Sequence, residues 1–457
     1  MWRRRKKRRV VVMTMTTRWE RPGSGSGSGS GKGPSQGLEG PGHEACPASM
    51  GAMASMASMA SMASKAARGA RHVIRCYVNQ RLSPMRVVKE MAALGMLDSP
   101  ACQRWFVARC FEFDAVVCSS QRTLGDAVYF KNLLYRLAKE LSRDGRVMED
   151  AVAEAMGRAN DLAASLEEAG ASSGDWLRKS YMYGRAGDGN GGREGGSKGN
   201  SEGNSEGGSE GGSEGGAGDE VEAYGVVHIG SHVNMFAGST GCFEWDAGYL
   251  LCEFVLNNVS LFQGRTVVDI GCGTGMATIV LAQLRRSGVL ACGPIVCSDG
   301  DAGTVDNCLA NLRANGVEAE VAWCGTWRWE DGYVEGIGAH RRSIIENGSP
   351  VTMVGADLLY DPEIIPTIVP LLEEFLGQVH ADSCVYLSTR RRSEETLAMF
   401  LEAVDATPAL VLEDVSDAFW EAAAGDPSFV SFQHVPSLES AKAQRSVILH
   451  RISLDRS

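Results

Sequence analysis

The stretch Val268-Asp269-Ile270-Gly271-Cys272-Gly273-Thr274-Gly275 constrains this chain more than any other. Three glycines stand at alternate positions, directly after the β-branched run Thr266–Ile270 and directly before an apolar helical start. Glycine permits the backbone of a sharp strand-to-helix turn and lets the main chain come close to a ligand. The ligand's polar groups then meet the N–H groups of the helix N-terminus. Counted from Gly271, the third glycine of a G-x-G-x-x-G dinucleotide fingerprint would fall on Met276, and Gly275 arrives one residue early. Asp299 closes the next β-branched run, Ile295 to Asp299, where its carboxylate suits both hydroxyls of a ribose.

The surroundings of the motif alternate between strand and helix patterns. Val351 to Asp357, Cys384 to Ser388 and Ser446 to Ile452 read as further strands, with helical patterns over Gly275 to Leu284 and Gly303 to Ala314. A third helix starts with Asp361 as N-cap and Pro362 at its first position and ends near Gly377. This alternation predicts a three-layer α/β domain with a mostly parallel sheet over residues 221–457.

Upstream, Phe130, Leu133, Leu134, Leu137 and Leu141 recur at helical spacing, and Val152, Ala155, Met156, Ala159 and Leu166 repeat the pattern. They predict a small helical domain over residues 71–183, with its first stripe on a helix from about Leu124 to Ser142. Of 55 glycines, 9 lie between Gly23 and Gly42 and 16 between Gly184 and Gly218, so the surplus belongs to two inserts. Residues 1–70 read as a disordered extension with a basic cluster, Arg3 to Arg9, and residues 184–220 as a Gly/Ser/Glu-rich tether between the two ordered parts.

Composition excludes several function classes. No run approaches the ~20 apolar residues of a bilayer span. Lys and Arg total 45 against 56 Asp and Glu, a net charge of −11, which argues against a general nucleic-acid-coating surface. The basic cluster leaves a local contact with nucleic acid as the lesser reading of that segment. The thirteen cysteines form no C-x-x-C pair, so neither a metal site nor a disulfide framework is expected, and free thiols suit a reducing, cytoplasmic setting. A monomer is expected.

G-x-G-x-G before a helix, with an acid at the next strand end, is the arrangement of S-adenosylmethionine-dependent methyltransferases. A closer likeness rests on three stretches. Gly238-Ser239-Thr240-Gly241 to Trp245-Asp246-Ala247 resembles a G-T-T-G…T-W-D-A entry motif. Ala356-Asp357-Leu358-Leu359-Tyr360 with Pro362 and Glu363 resembles A-D-V-L-Y-x-P-E, and Val385-Tyr386 through Arg392 to Glu395-Thr396 resembles V-Y-V…R-N-P-E-T. All three belong to the eukaryotic elongation factor 2 lysine methyltransferase family, whose members have a Rossmann-like seven-stranded domain. The resemblance covers about Gly238 to the C-terminus and, more weakly, the helical domain; it departs at Arg328, which stands where the family has an acidic residue.

The resemblance implies S-adenosylmethionine contacts from Trp245, the Gly271-Cys272-Gly273 turn, Trp329 and Ala356, beside Gly275 and Asp299 from the motif itself. It implies a protein substrate, elongation factor 2. Asp357, at a strand end, is expected to anchor the incoming amine, and Tyr360 to shape the slot or hydrogen-bond the nitrogen. A capping or ribose-side role for Asp357 and simple packing for Tyr360 are the alternatives. Other readings of the chain are a methyltransferase for another protein or a small molecule, weakened by the missing N-P-P-Y signature, and a non-catalytic adaptor on the same fold.

Overall fold

A computed structural model describes residues 67–111, 123–170, 176–185, 225–232 and 240–455, apart from 425, 436, 437 and 439. The basic cluster, the Gly/Ser and Ala-Ser-Met repeats, nearly all of the Gly/Ser/Glu tract, and Gly238-Ser239 of the entry motif lie outside the described residues.

The helical region comprises α1 (67–79), α2 (Pro84–Ala93), α3 (Pro100–Phe106), α4 (Leu124–Arg143) and α5 (Asp150–Glu168). The stripe expected on α4 is wholly buried, and on α5 Val152, Ala155 and Ala159 are buried while Ala163, not Leu166, completes the face. Thr123 and Asp126 close a reciprocal capping box at the start of α4. The same Asp126 carboxylate meets buried Arg81 at 3.2 Å and accepts the backbone N–H of Arg178 at 3.1 Å. One side chain therefore caps a helix, neutralises a buried cation and ties the helices to the strand that follows.

That strand, β1 (Trp176–Arg185), pairs antiparallel with β2 (Gly225–His232), and β9 (Val430–Phe432) completes a three-stranded sheet in the order β2-β1-β9. It runs two residues past the boundary expected at 183. The free edge of β2 is covered by α8 (Ala302–Ala314), where Asn311 Oδ1 accepts the Gly230 N–H at 2.7 Å. At the α8 C-cap, Asn315 exchanges two bonds with the His228 backbone, 2.9 and 2.7 Å. Amide side chains thus replace a missing neighbour strand.

The main sheet has seven strands in the order β5-β4-β3-β6-β7-β10-β8: β3 (Thr266–Ile270), β4 (Ile295–Asp299), β5 (Trp323–Thr326), β6 (Val351–Ala356), β7 (Cys384–Arg390), β8 (Leu410–Asp414) and β10 (Val447–Leu454). The pairs among β3 to β7 are parallel, and β10 lies antiparallel between β7 and β8. All five residues of β3 are buried, as a central strand covered on both faces requires. On one face pack α6 (Asp246–Asn257), α7 (Met276–Arg286) and α8 with the small sheet; on the other pack α9 (Gly332–Ile337), α10 (Ala339–Ile345), α11 (Ile365–Gln378) and α12 (Glu394–Asp405). This is the Rossmann-like α/β fold expected. The strands β5 and β8, and the whole small sheet, carry patterns too short or too mixed to stand out in the sequence. Strand order reverses between β3 and β6, the place where open α/β sheets bind ligands.

Candidate active site

A cavity of about 320 Å³ opens at this reversal, beyond the carboxyl ends of β3, β4 and β6. Of the residues expected to bind a cofactor, Trp245, Gly271, Cys272, Gly273, Asp299, Trp329 and Ala356 all line it, as do Asp357 and Tyr360. Gly275 does not.

The β3 wall is built mainly from backbone. Gly271 and Gly273 hold φ of 58° and 55°, in the left-handed region that favours glycine. A Cβ on Gly271 would stand 2.5 Å from Leu358 Cδ2, and one on Gly273 would stand 3.1 Å from the Gly241 carbonyl. A side chain here would strike the protein's own atoms as well as any ligand. The Gly273 N–H donates to Asp299 Oδ2 at 3.1 Å, and the Asp301 N–H to Asp299 Oδ1 at 3.1 Å. Two fixed donors thus orient the carboxylate and leave each oxygen a lone pair. Burial raises the pKa of Asp299. Among the described residues no side chain caps α7, so its first-turn amides, at Met276 and Ala277 lining the cavity, give that part of the wall a partly positive character.

Beneath the turn lies Asp269, a residue quoted in the motif but not foreseen as part of the site. It is buried, accepts the Thr278 hydroxyl at 2.6 Å and has a pKa pushed up by burial to about 7. Trp329 stands over Gly271, its ring 3.4 Å from the position of a Gly271 Cβ, and its buried Nε1 has no hydrogen-bond partner among the described residues. That orphaned donor and the cradle over the glycines fit a flat, polar-edged group such as adenine. Trp327, two residues earlier, also borders the cavity but is buried, with its Nε1 donating to the Gly332 carbonyl at 3.0 Å.

The opposite wall is built from side chains. Asp357 lies just past β6, in the left-handed region at φ 57°, with its N–H still bonded to the Ser388 carbonyl of β7 at 2.7 Å. Its carboxylate accepts Arg392 Nη2 at 2.5 Å and, more weakly, the Arg390 N–H at 3.4 Å. Burial raises its pKa and the Arg392 guanidinium opposes that rise. The helix-capping alternative falls to Asp361, whose Oδ1 accepts the Glu363 N–H at 2.9 Å. Arg392 also lies 4.6 Å from the centre of the Trp245 ring, and Trp245 Nε1 is fixed on the Thr240 carbonyl at 3.0 Å. The neighbouring Arg390 pairs with Asp246 at the start of α6. In the sequence this clamp was hinted at by the run Arg390-Arg391-Arg392 at the end of β7 and by the place of Arg392 in the family-like stretch Val385 to Thr396. Tyr360 is half exposed at the rim.

Residues 232–407 match the model of a family described as lysine methyltransferase. The chain is 27% identical over 169 residues to a protein-lysine N-methyltransferase, EFM3, of Chaetomium thermophilum, covering 36% of this chain and 47% of that protein. It is 25% identical over 175 residues to the human protein-lysine N-methyltransferase EEF2KMT, covering 36% and 49%. The chain thus spans about half the length of the curated relatives it matches. Among solved structures, a geranyl diphosphate methyltransferase in complex with SAM aligns at TM-score 0.28 and 15% identity, over 46% of this chain and 85% of that one. The matched segment takes in β3 to β7 and the helices between them, and so contains every expected site residue of the methyltransferase domain.

Proposed function

We propose that this chain is an S-adenosylmethionine-dependent protein-lysine N-methyltransferase and that its substrate is eukaryotic elongation factor 2. The observation that carries the reading is the charge of the cavity. Glu244, Asp299, Asp301, Glu330 and Asp357 line it, against Arg328, with Lys179 paired to Glu244 and Arg392 to Asp357 from behind. A cleft of one sign in low-dielectric walls concentrates ligands of the other sign, and both a sulfonium and a lysine ammonium are cations.

The cofactor would supply an electrophilic methyl group on sulfur. In this reading Gly271, Cys272, Gly273 and Gly275 form the turn beneath it, Asp299 receives the ribose hydroxyls on its unused lone pairs, Trp329 covers the base, and Trp245 and Ala356 close the sides. The protein's main task is then to hold the amine nitrogen about 3 Å from the methyl and in line with the breaking bond. A lysine near pKa 10.4 also has to lose a proton before attack. Asp357 accepts an N–H of the amine and so aims its lone pair, while Arg392 holds the carboxylate and is a positioning residue. Tyr360 forms the outer lip of the slot. The helical region and the rim near Asp357 grip the folded substrate, and such a substrate would put the chain in the cytoplasm.

The test is a labelled-methyl transfer assay on purified elongation factor 2, followed by mass spectrometry of the product. Label on a lysine of that factor is the expected result. Label in another protein, with none in elongation factor 2, would overturn the substrate; measured cofactor binding without transfer to any protein would favour an adaptor.

A further inference from the structure

We propose that Cys272, Cys297, Cys308 and Cys324 form a binding site for one thiophilic d¹⁰ cation, of which Zn²⁺ is the test case. The four come from four elements: the turn after β3, the middle of β4, the sheet-facing side of α8, and β5. The Sγ atoms of Cys272, Cys297 and Cys308 all lie within 4.8 Å of one another. Cys308 Sγ is 3.7 Å from Cys272 Sγ and 3.8 Å from Cys324 Sγ. A tetrahedral ion with Zn–S bonds of about 2.3 Å needs sulfur-to-sulfur edges of about 3.8 Å, so these two edges already have the required length, and Cys324, outside the group of three, would close onto the ion from the Cys308 side. Cys297 and Cys308 are buried, and Cys272 and Cys324 are half-buried on the two flanks. Glycine at 275 keeps the space open, since a Cβ there would stand 2.6 Å from Cys308 Sγ.

Spacing in the chain conceals the site, because the cysteines are 25, 11 and 16 residues apart and contain no C-x-x-C pair. The sheet brings them together: Cys297 on β4 and Cys324 on neighbouring β5 are register partners, and α8 lays Cys308 across both. Binding requires each ligating thiol to give its proton to solvent, so uptake falls as pH is lowered. The ion would pin the strand-to-helix turn through Cys272 to two strands and a helix. The site does not depend on the proposed methyl transfer.

The experiment uses the full chain, reduced and purified without chelator. Elemental analysis is expected to find about one Zn²⁺ per chain that survives dialysis. After stripping, reloading with Co²⁺ should give the intense visible bands of a tetrahedral ion and sulfur-to-cobalt charge transfer, read on the unmutated protein. Cys308→Ser and Cys324→Ser should each lose at least tenfold in zinc affinity, while Cys102→Ala, in the helical region, should bind as the parent does. Failure of the reduced chain to take up either metal, a six-coordinate cobalt spectrum, or unchanged affinity in Cys308→Ser would overturn the site and leave a packed thiol cluster only.

Discussion

The two walls of the cavity are made of different material. On the β3 side the wall is a glycine turn whose conformation the backbone sets, beside carboxylates of which one, Asp299, is fixed by two backbone donors. On the β6–β7 side they are side chains: Asp357, Arg392 and Trp245 hold one another across 35 and 147 residues of sequence. A wall of backbone is rigid and indifferent to which acceptor it meets, as suits a cofactor common to many reactions. A wall of paired side chains can be re-formed by small substitutions, as suits the part of a site that selects the acceptor.

This contrast can be broken by experiment. The largest effect is expected from Asp357→Ala, which should lower turnover by roughly 10²-fold or more while the cofactor Kd changes by less than about threefold. Parallel loss of both would show that the second wall also binds cofactor. Gly273→Val should do the reverse. Left-handed φ and the contact with Gly241 cost about 1–3 kcal/mol of local strain, and calorimetric titration should show cofactor binding reduced beyond detection. Intact binding would mean that the glycine serves the turn alone.

Arg392→Ala comes next. It should lower kcat several-fold through misplacement of Asp357, with partial recovery in Arg392→Lys, which restores the charge but not the fork geometry. A change confined to KM would make Arg392 a substrate contact instead. The smallest effect concerns the rear of the first wall. Asp269 has a pKa of about 7 when folded against an ordinary 3.8, so the folded chain holds a proton that the unfolded chain has lost. The resulting stabilisation is complete below about pH 4 and is lost as pH rises through 7. Glu253, raised to about 8 by burial, adds a loss of the same sign at slightly higher pH. Denaturant titrations from pH 5 to 8 should show this decline, and Asp269→Asn should flatten its lower part. An unchanged slope in that variant would assign the decline to Glu253.

The helical region offers an internal control, because Asp126 lies far outside the cavity. Asp126→Ala leaves Arg81 buried without its carboxylate and should cost about 3–5 kcal/mol in stability. An equal loss in the free energy of cofactor binding would mean that the two regions are coupled more closely than their separate cores suggest.

Legibility in the sequence followed the same division as the walls. The Gly271–Gly275 turn, Asp299 and the buried runs of the central strands could be read because their physics is local: a β-branched run, a change of period, a residue with no Cβ. Asp357 could be read as a strand-end acid within a family-like motif that also holds Tyr360, and Arg392 stood in a second such motif, but nothing near position 392 indicates a partner at 357. Strand β1 was hidden for a related reason. Its alternation is imperfect, and it becomes a strand by pairing with β2 across 39 intervening residues.

By itself, then, the sequence determined the α/β class, the central strands, the amphipathic helices and the glycine turn at the end of β3. Each of these depends on propensities and periods that act within a few residues. The tertiary structure alone decided which carboxylates were already occupied, that the indole N–H of Trp329 is without a partner among the described residues, and that the thiols of Cys272, Cys297 and Cys308 meet, with Cys324 beside one of them. Those outcomes depend on strand order and helix placement, which set distances between atoms that the chain itself keeps far apart.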